Sequence, residues 1–413
     1  MKDLFSKFWG AEDIPPGVRI LTIATSVRWI GWGFAESLIP VFLYMFAGSF
    51  AMAGVFNSAY DVAFIIALPL VGLAADRSRA TTLVLIGLSL YVFVGLGYFL
   101  AGFLGLAVFV VLARAINGVG YAFDEVGRET YVRRHTPAAN LATVFGYFDS
   151  IANFWWAMAA IVGIFLVSFI PIYWLLFLIA PTTVLAMGVV YFFGRKWDVS
   201  PKSIDAKKVQ EKKPGYRELV RELGLWNWQL KTLVGFNFFI ALAGSVVMFF
   251  LPIQLYKEGS GYVPIILMGV IITIPAFFGW VLGKLFDKKG TRVFLYGLIA
   301  FAVLVAALGF THAYVAQIAI AFLVGIILEL LSVGSNELIT VYADPAHFGR
   351  VDGLTHSITD IGSLIGPIAA GVLIDMSGPK ITYGVLALII LALAFGFVFV
   401  AHISSRRKIS PIS

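Results

Sequence analysis

The sequence predicts an all-α integral membrane protein whose twelve transmembrane helices form two pseudo-symmetric six-helix bundles. Three observations carry this: a side-chain inventory unsuited to water, twelve apolar windows of membrane-spanning length, and an internal repeat that pairs the two halves.

The inventory comes first. Hydrophobic residues make up 60% of the 413 positions and charged residues only 13%, where soluble chains are roughly half apolar and a quarter charged. So few polar side chains cannot cover a water-facing surface, and lipid must be the solvent. The net charge of +7 would suggest a nucleic-acid partner in a soluble domain, but its distribution assigns it to topology, and no nucleic acid is expected. The chain has no cysteine, which excludes disulfides, thiolate metal sites and cysteine nucleophiles. Its five histidines are scattered without ligand spacing, so neither a metal nor another cofactor is expected. The first apolar run is too long for a signal peptide and lacks a small-residue cleavage site; it reads as the first span.

A helix needs about 20 apolar residues to cross the hydrocarbon core. Twelve such windows fall at 18–46, 50–75, 80–101, 104–126, 140–168, 172–194, 232–256, 262–286, 291–311, 314–341, 350–375 and 380–402. With the N-terminus inside, the outer loops hold only Lys257 and Lys380, and the spans hold Arg28 and Arg114; the rest of the 30 Lys and Arg fall on the inner side. The positive-inside rule then places both termini in the cytoplasm of a cell-membrane protein. The polar interruption divides the chain into an N-terminal bundle (1–193), a linker (194–231) and a C-terminal bundle (232–413). Within the linker, "YRELVRELGLW" spaces apolar residues as an amphipathic surface helix would; a solvated linker is the other reading.

The halves repeat. "LIPVFLY" (38–44) returns as "FLPIQLY" (250–256), "GLAADRSR" (72–79) as "GKLFDKKG" (283–290), "RETYVRRHTPA" (128–138) as "NELITVYADPA" (336–346), and "GYFDSI" (146–151) as "GLTHSI" (353–358). The offsets of 212, 211, 208 and 207 drift slowly and keep their order, as expected of duplicated bundles related by an axis along the membrane normal.

With these motifs the chain resembles the major facilitator superfamily of secondary transporters over essentially its whole length. Two patterns carry the likeness: the Gly-x-x-x-Asp-Arg/Lys loop, well formed in "GKLFDKKGTR" and degraded in "GLAADRSRAT", where Arg79 replaces the second glycine, and the Arg-x-x-x-Gly-x-Gly of span 4 at Arg114, Gly118 and Gly120. In motif pattern it is most similar to proton-coupled drug or metabolite exporters. The resemblance implies alternating access, a cavity lined by spans 1, 4, 7 and 10, and a monomer. "TDIGSLIGPIAAG" (359–371) loosely resembles an antiporter glycine–proline motif but lies in span 11 instead of span 5, so close packing or bending is its expected role.

An ionised side chain in hydrocarbon costs at least ~2.5–3.5 kcal/mol and is a functional candidate by default. Arg28, Asp61, Arg114, Asp149 and Asp360 fall near the middle of spans 1, 2, 4, 5 and 11, while Glu36 and Glu329 lie off centre. Arg28–Asp61 and Arg114–Asp149 could be ion pairs that only orient helices. Alternatively, one aspartate exchanges its arginine for a proton during transport. Arg28, Trp32 and Glu36 share a face of span 1; Arg114, Asn117, Tyr121 and Glu125 share one of span 4; Asp149, Asn153 and Trp156 share one of span 5. These stripes suit a hydrated substrate cavity. Trp29, Tyr60 and Trp155 are further pocket candidates. Span 7 offers Asn237, Ser245 and Gln254, so the C-terminal half is expected to supply mainly shape.

By the resemblance, Asp76 with Arg77 and Asp287 form cytoplasmic gates by meeting helix N-termini, joined by Arg128, Glu129 and Glu337; ordinary topology-fixing charges are the other reading. The expected function is proton-coupled export of a small amphipathic compound, with the proton gradient as energy source and the small molecule and the bilayer as partners. The alternative is a proton-coupled importer, or a transporter of an anionic or lipid-linked metabolite, using Arg28 or Arg114 to hold the anion. No catalytic residues are expected: His-Glu-x-x-His, Gly-x-Ser-x-Gly and P-loop patterns are missing from the sequence. A transport-dead receptor on the same fold also stays open.

Overall fold

The computed structural model describes residues 14–75, 78–137, 140–198, 224, 226–342 and 348–407. Among these the chain is helical and has no strand. The linker segment 216–226 with its expected surface helix lies almost entirely outside them.

Span 1 is Pro16–Gly33 and Ile39–Ala47, joined by a 3-10 turn at Glu36–Leu38. Spans 2 to 5 are Phe50–Ala75, Ala80–Leu104, Ala107–His135 and Leu141–Leu166; span 6 is Ile172–Phe177 continued by Ile179–Phe192. Span 7 is Trp228–Lys257. Span 8 runs from Tyr262–Thr273 through a 3-10 turn, Ile274–Phe278, into Gly279–Lys289. Spans 9 and 10 are Thr291–Leu308 and Tyr314–Tyr342, and Phe348–Arg407 contains spans 11 and 12, separated at Gly378. Nine helices of the described residues are long and apolar enough to cross a membrane; one of them, Leu354–Phe397, holds two spans, and the shorter Tyr262–Phe278 and Arg292–Leu308 complete the twelve. Gly105 ends span 3 at φ 71° and Gly378 breaks spans 11 and 12 at φ 83°, left-handed conformations that glycine adopts without a Cβ penalty.

Outward surfaces are apolar, as at Phe165, Leu185, Val315 and Phe395. Hydroxyls inside the spans return to the helix ladder: Thr22 and Ser26 donate to the carbonyls of Val18 and Thr22 at 2.9 and 2.8 Å, which satisfies them where no bulk water is available.

The chain clusters into two compact units. The first comprises the described residues of Met1–Gly48, Val55–Lys212 and Gly261–Leu267; the second comprises those of Ser49–Gly54, Lys213–Ser260 and Met268–Ser413. In the first, span 1 packs on spans 5 and 6, and span 3 on spans 4 and 6. Glycine makes these approaches possible. A Cβ on Gly33 would overlap the Trp156 carbonyl, one on Gly163 the Phe34 carbonyl, and one on Gly118 the Tyr60 carbonyl. A Cβ on Gly87 would come within 2.7 Å of the Asp124 nitrogen and the Gly120 carbonyl.

The second unit repeats the pattern with its own residues. Span 7 packs on the span 11–12 helix, and span 9 on that helix and on span 10. Gly362 faces the Phe238 carbonyl, Gly366 the Leu242 carbonyl, and Gly325 the Ile272 carbonyl. Gly325 thus answers Gly118, and Ile272 answers Tyr60, at offsets of 207 and 212, each within one residue of the 208 and 211 of the sequence repeat for those spans. The glycines of span 11 are close-packing positions.

Candidate functional site

Span 1 is expected to be one continuous helix; it breaks instead. Ala35 sits at φ −150°, ψ 9°, where the glycine-mediated contacts of Gly33 and Gly163 press span 5 against the turn. The break frees Glu36 from the helix register, and its Oε2 accepts from Trp156 Nε1 at 2.5 Å. Arg28, Trp32 and Glu36 nonetheless border one cavity of about 220 Å³, together with Trp29, Tyr60, Tyr91, Arg114, Asn117 and Tyr121. Trp155 is 43% exposed and does not border this cavity.

Arg114 is 8% exposed. One Nη2 donates to Asn57 Oδ1 at 2.7 Å, and the guanidinium lies 4.7 Å from the Tyr60 ring centre, in cation–π geometry. The Gly118 contact with Tyr60 holds spans 2 and 4 close enough for both interactions. The Arg114–Asp149 pair, one of the two readings of the sequence, does not form among the described residues.

Arg28 does not pair with Asp61. Its Nη2 lies 3.4 Å from Asp124 Oδ2, an oxygen that also takes Arg128 Nε at 3.1 Å. Asp124 is 1% exposed and Arg28 2%, and the Arg28 guanidinium lies over Trp29 and Tyr91 at 4.8 and 5.1 Å. Asp124 is the functional candidate that sequence reasoning missed. It sits about 80° around the helix from Arg114 but only about 20° from Asn117 at 100° per residue, and its place at the head of the charged run left it among apparent gate charges. Its i,i+4 spacing to Arg128 and the small residues Gly120 and Gly127 beside it were the available signal.

Asp149 and Asn153 border a second cavity of the same unit, about 280 Å³, with Trp29, Tyr121, Glu125, Arg128 and Glu129. Arg128 therefore faces Asp124, while Glu129 pairs at 3.5 Å with Arg133 on an exposed surface. Asp61 is half-buried and borders neither cavity.

The second unit holds a cavity of about 330 Å³ with a different chemistry. Asn237, Ser245, Ser332, Ser335, Asn336, Thr355, Thr359 and Ser363 border it with apolar residues; His356 is the titratable side chain among them. Ser335 Oγ and Asn237 Oδ1 are 2.6 Å apart, the hydroxyl donating. This half is expected to supply mainly shape, and the wall of its cavity is largely apolar, with serine, threonine and asparagine side chains set into it. Glu329 does not border this cavity; Oε1 lies where a Cβ on Gly279 of span 8 would come within 2.7 Å. Gln254 turns to Glu258, donating at 3.1 Å. Asp360 stands one turn from His356 on span 11.

Of the expected gate, Asp76, Arg77 and the Asp287 side chain lie outside the described residues, and Glu337 is half-buried on span 10. A carboxylate on a helix N-terminus occurs at another residue: Asp375 Oδ1 and Oδ2 accept from the Phe50 and Ala51 amides at 3.1 and 2.8 Å, within the second unit. No group of three acidic or histidine side chains among the described residues could hold a metal ion.

The sequence matches the Major Facilitator Superfamily over residues 21–357, well beyond half of the chain. The chain belongs to this superfamily. No curated protein matches it in sequence. Solved structures share the fold: the nucleoside transporter NupG, 16% identical over 93% of this chain and 98% of that one, with a TM-score of 0.73; a bacterial homologue of the human lysosomal transporter Spinster, inward-facing and unoccupied, 16% identical over 96% and 98%, TM-score 0.71; and the human organic anion transporter MFSD10, 12% identical over 93% and 100%, TM-score 0.62. As a superfamily member the chain is a multi-pass secondary transporter working by alternating access, not an enzyme. The cavities are its candidate substrate sites.

Proposed function

We propose that the protein couples proton movement to export of a small amphipathic compound, with protons handled in the first unit. The observation that carries this is the Asp124 carboxylate shared by Arg28 and Arg128. A buried carboxylate held by cations can trade one of them for a proton when the helices shift, because each state of the pair favours a different protonation. Glu36, tied to Trp156 beside the cavity, is the second carboxylate able to do so. The hydroxyl and amide wall of the second unit adds uncharged contacts for the cargo. The protein acts in the cell membrane as a monomer with both termini cytoplasmic, consistent with the placement of its Lys and Arg residues.

The solved relatives carry names as different as nucleoside and organic anion transporter, so the fold does not choose the cargo. Import of an anionic compound is the second reading, favoured by Arg28 and Arg114 bordering one cavity.

The test is uptake of candidate compounds, drawn from a ligand thermal-stability screen, into proteoliposomes with the pH gradient imposed in each direction. Export by antiport predicts accumulation against an outwardly directed compound gradient only when protons run the opposite way. Transport indifferent to the gradient would sink the coupled reading.

A further inference from the structure

The cavity bordered by Arg28 and Arg114 has a surplus of donors. Arg28 Nε, Trp32 Nε1 and the Tyr91 hydroxyl are buried without a hydrogen-bond partner among the described residues; Arg28 Nη2 keeps its ion pair to Asp124 at 3.4 Å, and Arg114 beside them donates to Asn57. These side chains are nine-tenths or more buried and border the same space. Leaving one buried donor unmatched costs about 1–3 kcal/mol, so several together point to acceptors supplied from outside the chain.

Water could accept these hydrogens but cannot balance charge, and charge decides the class. Two guanidiniums border the cavity against one carboxylate, Glu36, already engaged by Trp156. Asp124 behind it is shared with Arg128. Trp29, Trp32, Tyr60, Tyr91 and Tyr121 supply flat apolar walls, and a volume of about 220 Å³ limits the occupant to a small body.

We infer that this cavity binds an organic anion: one carboxylate or similar acid group, met by Arg114, Arg28 and the Trp32 indole, on a compact aromatic body lodged between the rings. The inference rests on the reading that the cavity lies on the transport route, and it is independent of direction. Charge-assisted bonds to guanidinium are the stronger kind, so the acid group supplies much of the selectivity.

The probe set is naphthoate, its neutral isostere naphthamide, and naphthylmethylamine, offered to the purified full-length protein. Binding is followed by thermal stability and tryptophan fluorescence. Naphthoate is expected to stabilise the protein in a saturable manner while the amide and the amine do not. Arg114→Gln should weaken naphthoate by about tenfold or more; Arg114→Lys should restore part of the affinity, and Trp32→Phe, which removes the N–H donor and part of the ring, should weaken it. Equal binding of naphthamide, preference for the amine, absence of naphthoate binding, or wild-type affinity in a monodisperse Arg114→Gln variant would each overturn the inference. Should Arg114→Gln not fold, the acid–amide comparison and Trp32→Phe decide. Naphthoate binding without uptake into proteoliposomes would leave the anion site standing and remove the transport reading. Proton-driven uptake of another compound without naphthoate binding would do the reverse.

Discussion

The two units share a glycine contact, Gly118 on Tyr60 in the first and Gly325 on Ile272 in the second, yet their cavities differ in kind. In the first, Arg28, Arg114 and Glu36 meet five aromatic rings around about 220 Å³. In the second, serines, threonines and asparagines share the wall of about 330 Å³ with isoleucines, leucines and one histidine. The duplicated backbone therefore fixes where helices approach, and the side chains placed on it fix the chemistry. Ionised groups in a low-dielectric interior hold strong, long-range couplings, whereas neutral hydroxyls and amides contribute local, weaker bonds. A transporter built this way can place proton chemistry in one half and recognition of uncharged groups in the other.

That contrast can be broken most severely at Asp124. Asp124→Ala strips the shared carboxylate from two buried guanidiniums, and the loss expected for an uncompensated buried charge is about 3–5 kcal/mol. It should appear as a large drop in melting temperature in detergent. A variant as stable as wild type would mean that Arg28 and Arg128 do not depend on this carboxylate.

Trp156→Phe keeps an aromatic ring, smaller than the indole, and removes the donor to Glu36. A hydrogen bond to a charged group is worth about 1.5–3 kcal/mol, and the change should also alter the pH dependence of transport; an unaltered profile would detach Glu36 from coupling. Gly118→Ala pushes a methyl into the Tyr60 carbonyl and should cost about 1–3 kcal/mol, as overpacking does. Gly235→Ala, whose Cβ would meet nothing within 4 Å, should instead stabilise by about 0.5–1 kcal/mol. Thermal unfolding of this pair separates close packing from helix propensity. The smallest effect belongs to the second unit: Ser335→Ala removes one neutral hydrogen bond and should cost about 0.5–1.5 kcal/mol, with no change in the pH dependence of transport.

The twelve spans and the repeat were legible because lipid demands long apolar helices and duplication preserves the glycines and prolines at fixed offsets. The cavity stripe of Arg28, Trp32, Arg114, Asn117 and Tyr121 was legible because helical spacing carries side chains to one face. Pairing was not. Asp61 and Asp124 both lie within reach of the middle spans by rise per residue, and only the close approach of spans 3 and 4 at Gly87 and Gly120, with Arg28 reaching in from span 1, selects Asp124. Glu36 was placed by a helix break at Ala35; its signal was Pro40, which opens the second segment of span 1 and cannot bond to the Glu36 carbonyl four residues back. Asp375 was missed because its partner is a pair of backbone amides, which leave no pattern in the side chains.

The central claim is that ionic coupling resides in the first unit. Its most direct test is naphthoate uptake into proteoliposomes across a range of pH, compared between Glu36→Gln in the first unit and Asn237→Ala in the second. The account predicts that Glu36→Gln flattens the pH profile, whereas Asn237→Ala lowers uptake and leaves the profile's shape intact. A flattened profile in Asn237→Ala with an unchanged one in Glu36→Gln would contradict it.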